Sequence, residues 1–220
     1  MFKSWTPTFW INLGSSYDLI LDGIVYHIKP NSAIAVTRAA TAERVNLPTD
    51  YLFTVKFFPG ALKNLIDVDQ TRINSGIVDL SELLSSSLIW QIKTAGNFDK
   101  RKLLMEEYLL QNFAYKKGSD HFVSLLTKAI GLYTENGMQF NLSEISQKIF
   151  TGSRTLRRYF DRVIGICPKQ YFESVKIRMA LPSFLNDRKS FEPTAFGFYD
   201  KSHFYRSVLK FTGKRIVEHQ

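Results

Sequence analysis

With 220 residues, 45% of them hydrophobic and 14% aromatic, the chain can bury a core with room for a second small domain, which excludes the disordered class. Its 29 Lys and Arg against 20 Asp and Glu leave a formal +9, and the excess is uneven: residues 120–220 carry 16 against 9, net +7, and residues 1–119 carry 13 against 11, net +2. One cysteine excludes an intrachain disulfide and a thiolate metal cluster, and no run of about 20 apolar residues could cross a bilayer as a helix.

Behind Met1-Phe2-Lys3-Ser4-Trp5 no apolar signal segment follows, because Asn12, Asp18 and Asp22 interrupt every hydrophobic run, so a cytoplasmic location is expected. A period of two comes next. Phe9, Ile11 and Leu13 alternate with Trp10, Asn12 and Gly14; Tyr17, Leu19 and Leu21 with Asp18, Ile20 and Asp22; Ile24, Tyr26 and Ile28 with Val25, His27 and Lys29. These read as strands with one apolar face each. Asp22-Gly23 between two of the runs can take the positive φ angles of a tight hairpin. Ala33 to Val36 and Tyr51 to Phe58 extend the sheet, the latter ending at Pro59-Gly60. A sandwich or half-barrel is expected, in which Trp10, Tyr17, Tyr26, Tyr51 and Phe53 line a pocket or simply fill the core. His27 has no second histidine or carboxylate at metal-ligand spacing.

Helical spacing takes over at Asp79, an N-cap candidate with Glu82 at capping-box distance and Leu80, Leu83, Leu84 and Leu88 following. Asp99 starts another helix, whose Leu103, Met105, Leu109, Leu110 and Phe113 offer apolar surface before Lys116-Lys117-Gly118 closes it. These stripes cover their own sheet or pair with a second copy. The division expected is a β-rich domain over 1–78, a helical linker over 79–117, and a helical domain over 118–220, with the boundary at Gly118-Ser119-Asp120.

The segment from Ile145 to Phe160 reads as two short helices about a turn at Phe150-Thr151-Gly152-Ser153. On the second helix Arg154, Arg157 and Arg158 stand at i, i+3 and i+4, sharing one face, while Leu156, Tyr159 and Phe160 turn to the other, towards Ile145 and Ile149. A guanidinium fork matches the two acceptors of a guanine edge and also pairs with phosphate, so the face points to a polyanion. An ordinary solvated basic face is the competing reading. Cys167, beside Pro168 at a turn, reads as a small buried residue.

Downstream, Gly165-Ile166-Cys167-Pro168-Lys169-Gln170-Tyr171 precedes a helical run to Ala180, followed by Gly197-Phe198-Tyr199-Asp200-Lys201-Ser202-His203-Phe204 and Phe211-Thr212-Gly213. From about Leu142 to Gly213 the sequence resembles the AraC/XylS family of bacterial transcription regulators, in which two helix-turn-helix units are joined by one long helix. The resemblance implies a first recognition helix from Ser153 to Asp161 and a second from Lys201 to Leu209. It assigns DNA contacts to Ser153, Arg154, Thr155, Arg157 and Arg158, and to Lys201, Ser202 and Arg206, with His203 capping or packing. Between Ala180 and Gly197 the chain is about two residues shorter than the family spacing. Pro193 allows only a short first helix in the second unit, and Pro182 kinks or stops the joining helix near Leu181. Val55-Lys56-Phe57-Phe58-Pro59-Gly60-Ala61-Leu62 resembles a strand-to-helix turn in sensor domains of the same family, implying a cupin-like or other β-rich regulatory domain.

Enzymatic motifs are missing from the sequence: the histidines at 27, 121, 203 and 219 sit in no metalloprotease, nucleophile-elbow or phosphate-loop context. The combined expectation is an α+β chain, with an N-terminal β-rich sensor domain, a helical linker and an all-α double helix-turn-helix domain. It acts as a sequence-specific, cytoplasmic transcription regulator of the AraC/XylS type, an activator or a repressor according to where its site lies relative to a promoter, with no cofactor or metal. Double-stranded DNA is the partner, a homodimer the expected state, and a small-molecule effector in the N-terminal domain and RNA polymerase are further partners that the resemblance allows. The alternative is an interaction protein with a degenerate reader that dimerises with another regulator.

Overall fold

The computed structural model describes residues 7–36, 42–45, 47–66, 76–115 and 120–216. Met1-Phe2-Lys3-Ser4-Trp5, the closure at Lys116-Lys117-Gly118 and the boundary at Gly118-Ser119 lie outside these residues. The chain is α+β and divides into two compact units, residues 3–123 and 124–220.

The first unit holds two antiparallel sheets. One has the order β6 (Leu52–Lys56), β1 (Thr8–Asn12), β4 (Ala33–Val36), β7 (Ile77–Asp79); the other runs β3 (Ile24–Ile28), β2 (Tyr17–Leu21), β5 (Ala42–Arg44). The expected hairpin is present: Leu21 pairs with Ile24, and Asp22 and Gly23 both take positive φ, 47° and 84°, which closes a two-residue loop with the twist of its strands. Between the sheets lie Trp10, Ile34 and Val36 from one, and Tyr17, Leu19, Leu21, Ile28 and Ala42 from the other.

β1 and β4 depart from the one-sided reading, because every residue in them is buried. Their second face, with Phe9, Ile11, Ala33 and Ala35, packs with Phe53 against α1 (Ala61–Leu65), α2 (Ser86–Thr94) and α3 (Phe98–Tyr115). Helices on one side and a second sheet on the other therefore make a three-layer unit. Asn12, polar yet 1% exposed, is tolerated there because its amide donates to the carbonyls of Ser15 and Lys29 and accepts from Gly14 N.

The helix expected from Asp79 is split. Asp79 ends β7, and its carboxylate accepts from Ser81 N, capping only a 3₁₀ turn over Leu80–Glu82; a second cap, Ser85, then starts α2 by accepting from Leu88 N. α3 starts one residue earlier than expected, at Phe98, with Asn97 accepting from Lys100 N. Of its apolar residues Met105 is buried and Leu109 packs beside it, whereas Leu103, Leu110 and Phe113 are exposed.

The second unit is helical: α4 (Asp120–Glu135), α5 (Leu142–Lys148), α6 (Ser153–Val163), α7 (Pro168–Asn186), a 3₁₀ turn (Pro193–Phe196) and α8 (Lys201–Thr212). α7 serves two cores. Its first half places Tyr171 and Phe172 with ring centroids 5.6 and 5.3 Å from that of Phe160 of α6, and Phe172 stacks on Tyr133 of α4. Its second half supplies Ile177, Ala180, Leu181 and Phe184 to a cluster with Phe191, Phe198, Phe204, Val208 and Phe211. Of the two outcomes expected at Pro182, a kink or a stop, the stop is not met: α7 continues through Pro182 to Asn186. Pro182 is exposed near the C-terminal end, so its missing donor affects only the last turns, and the burial of Leu181 and Phe184 holds them in place.

Candidate nucleic-acid interface

α5 and α6 are fixed to one another before any arginine is placed. Asn141 and Glu144 form a reciprocal cap at the start of α5: the Asn141 side chain accepts from Glu144 N at 3.0 Å, and Asn141 N donates to Glu144 Oε2 at 2.7 Å. At the other end Phe150 takes the left-handed conformation, φ 54°, and Gly152 becomes the N-cap of α6. The buried Ser146 hydroxyl donates to Ser143 O and lies 2.8 Å from Ser153 Oγ. This hydroxyl pair ties the first residue of α6 to the middle of α5. Ile145, Leu156 and Phe160 are fully buried behind it.

With that face of α6 in the core, the opposite face is open. Arg154, Arg157 and Arg158 are all exposed, and among the described residues none of the three forms an ion pair. The Arg158 guanidinium sits 5.7 Å from the Tyr159 ring centroid, a stacking contact that leaves its N–H fork available. Thr155 is half-buried on the flank, and Ser153, also half-buried, is engaged with Ser146. Both helices outrun expectation, α6 ending at Val163 and α8 at Thr212.

α8 is presented differently. Asp200 caps it by accepting from His203 N at 2.6 Å, and His203 Nδ1 accepts from Tyr199 N while its ring meets Phe198 edge-on, so this histidine caps and packs. Counted from their caps, Arg154, Arg157 and Arg158 of α6 correspond to Ser202, Tyr205 and Arg206 of α8. Lys201, Ser202 and Arg206 are exposed, with Arg206 Nε donating to Ser202 O at 3.3 Å. The short helix expected before α8 is present only as one 3₁₀ turn beginning at Pro193, as a proline at its start permits. Gly197 ends the turn at φ 74°, where an added Cβ would lie 2.5 Å from Met138 O.

Elsewhere the sequence-derived candidates disperse. Trp10 and Tyr17 belong to the core between the sheets with Tyr26 packed against it, Phe53 belongs to the core under the helices, and Tyr51 is half exposed beneath Arg101, so the five aromatic residues are divided between two cores and the surface. His27 has a carboxylate partner after all: Asp18 stands opposite it across the hairpin, Oδ1 2.9 Å from Nδ1. A spacing of nine residues hid it. Among the described residues no group of three or more His, Cys, Asp or Glu could hold a metal ion, and no helix is long and apolar enough to cross a membrane. Cys167 is half-buried rather than buried, because it caps α7, and its thiol donates to Gln170 Oε1.

No protein-family model and no curated protein matches the chain. Among solved structures it is similar to ToxT from Vibrio cholerae O395, 12% identical over 97% of this chain and 87% of that one, TM-score 0.53. It is likewise similar to unsaturated fatty acid-bound wild-type ToxT from Vibrio cholerae, 12% identical over 97% and 86%, TM-score 0.51. The chain therefore shares its fold with ToxT, a β-rich unit followed by a helical one.

Proposed function

We propose that the chain is a sequence-specific DNA-binding transcription regulator of the AraC/XylS type that reads the major groove chiefly with α6. The observation that carries this reading is the exposed face of Arg154, Arg157 and Arg158, without an ion pair among the described residues, on a helix whose other face is locked into a core. A helix of this kind fits the major groove, where a bidentate arginine contributes about 1–3 kcal/mol of discrimination at a guanine. Lys201, Ser202 and Arg206 make a second, weaker set of contacts, Ser153 and Thr155 flank the first, and the +7 over residues 120–220 supplies the sequence-independent attraction. An enzyme is not part of this reading.

The β-rich unit is the regulatory part. The exposed Leu103, Leu110 and Phe113 of α3 give it a surface on which a second copy pairs, and an unsaturated fatty acid bound to ToxT makes an effector a fitting input here too. Contact with RNA polymerase and activation belong to the same proposal, as does a cytoplasmic location. A second reading, an interaction protein that dimerises with another regulator, draws on the shortened turn at Pro193 and on the two arginine positions held by Ser202 and Tyr205 in α8.

Selecting bound sequences from a random duplex pool tests the proposal. A recovered motif of one half-site indicates α6 alone, two half-sites about one helical turn apart indicate both helices, and no motif at moderate salt favours the second reading. Arg158→Ala should then weaken specific binding more than binding to random duplex; equal loss on both would place Arg158 on phosphate.

A further inference from the structure

A recessed surface of different chemistry lies within the helical unit. A cleft of about 610 Å³ is bounded by the end of α4, the Phe140–Leu142 segment, the first half of α7 and one flank of α8, a volume in the range of small-molecule sites, roughly 300–1,000 Å³. Its lining is both aromatic and cationic. Phe172 and Tyr133, stacked with centroids 4.1 Å apart, lie there with Phe140 and Phe198. Lys169 and Lys176 of α7 and Lys210 of α8 face the same space, against Glu173 as the one lining carboxylate.

Lys176 is held in place without being neutralised. Its ammonium donates to Gly197 O at 2.6 Å and lies 5.8 Å from the Phe198 ring centroid, leaving two of its N–H groups for another partner. Burial pushes its pKa below the usual lysine value, and Glu173 only partly offsets that. An incoming anion would relieve the same cost. On α8 the cleft residues His203, Ser207 and Lys210 recur at i, i+4 and i+7, about a quarter turn from Ser202 and Arg206. The cleft and the proposed DNA face are thus separate sides of one helix.

We infer that this cleft binds a small organic anion, an aromatic body carrying a carboxylate or phosphate, clamped between the lysines of α7 and Lys210 of α8. The aromatic side chains select against bare phosphate, and the concavity selects against a duplex backbone. Seated there, the anion would brace α8 against α7 and so set the angle at which Ser202 and Arg206 are offered.

The test uses the full chain and the fluorescent aromatic anion 8-anilino-1-naphthalenesulfonate. Expected are saturable one-to-one binding, competition by 2-naphthoate and by 2-naphthyl phosphate, whose relative potency tells carboxylate from phosphate, and little competition by inorganic phosphate at equal concentration. Lys176→Met should weaken the probe about tenfold or more, the loss of one charge-assisted contact. Lys169→Met/Lys210→Met, at two exposed side chains, should do the same and serves if Lys176→Met fails to fold. Unchanged affinity in folded variants overturns the inference, as does displacement by inorganic phosphate as effective as by naphthoate. Displacement by random duplex, with the lysine variants lowering the salt slope of DNA binding by about 1 each, would make the cleft a phosphate-backbone surface and equally overturn it.

Discussion

Gly197 combines two demands that only glycine meets. Its φ of 74° lies in the left-handed region, and a Cβ there would stand 2.5 Å from Met138 O and 2.9 Å from Lys176 Nζ. The lysine can swing away, but the carbonyl cannot. Gly197→Ala should therefore destabilise the helical unit by more than about 1–2 kcal/mol, the cost of the φ angle alone, read as a fall in Cm at unchanged m in denaturant unfolding. Tyr17 presents the opposite case. It is 4% exposed, and among the described residues its hydroxyl has no hydrogen-bond partner, while its ring stacks under Arg44 and packs near Trp10. Tyr17→Phe keeps the ring and removes the buried, unsatisfied oxygen. It should leave the β-rich unit equally stable or stabilise it by about 1–3 kcal/mol, and a loss of that size instead would reveal a partner for the hydroxyl.

At the scale of elements, what the sequence discloses depends on whether one local rule decides the outcome. The hairpin at Asp22-Gly23 was legible because only a few residue pairs accept two positive φ angles, and the arginine face of α6 was legible because i, i+3, i+4 spacing is a property of any helix. The burial of both faces of β1 escapes the alternation because Asn12 and Gly14 follow Trp10 on its second face, and nothing local says that Asn12 meets Ser15 and Lys29 carbonyls. Asp79 was a true cap, but of a single turn, since Ser85 offers a competing start six residues on. The cleft was invisible: Lys169, Lys176 and Lys210 come from two helices, and only the packing of α7 on α8 unites them. The α5–α6 turn carries its own test. Phe150 is 98% exposed yet sits at φ 54°, a conformation that costs a side chain about 1–2 kcal/mol. Phe150→Gly should raise the thermal midpoint of the helical unit. If DNA binding falls while stability rises, the exposed ring belongs to the interface; unchanged binding assigns it no part there.

Across the whole molecule, burial of tyrosine hydroxyls couples both units to alkaline pH. Tyr17 in the β-rich unit and Tyr171 in the helical one each have a pKa pushed up from 10.0 to about 12, and Tyr133 is raised further, in every case chiefly because burial disfavours the phenolate. Between pH 10 and 12 the unfolded chain releases these protons and the folded chain keeps them, so stability present below pH 10 is lost as pH rises through that window. Lys176 opposes the trend only below and at the very start of that window. With a folded pKa under 10.5, its native state sheds a proton first and stability rises towards pH 10.5, after which it adds nothing. The thermal midpoint of the full chain should accordingly hold up to about pH 10 and fall steeply above it. Tyr171→Phe should flatten the fall for the helical unit alone and Tyr17→Phe for the β-rich unit alone, measured by unfolding probes specific to each. A midpoint that stays level from pH 10 to 12 would mean that the three hydroxyls reach solvent, and with it that the cores around Phe160 and Trp10 are looser than their packing implies.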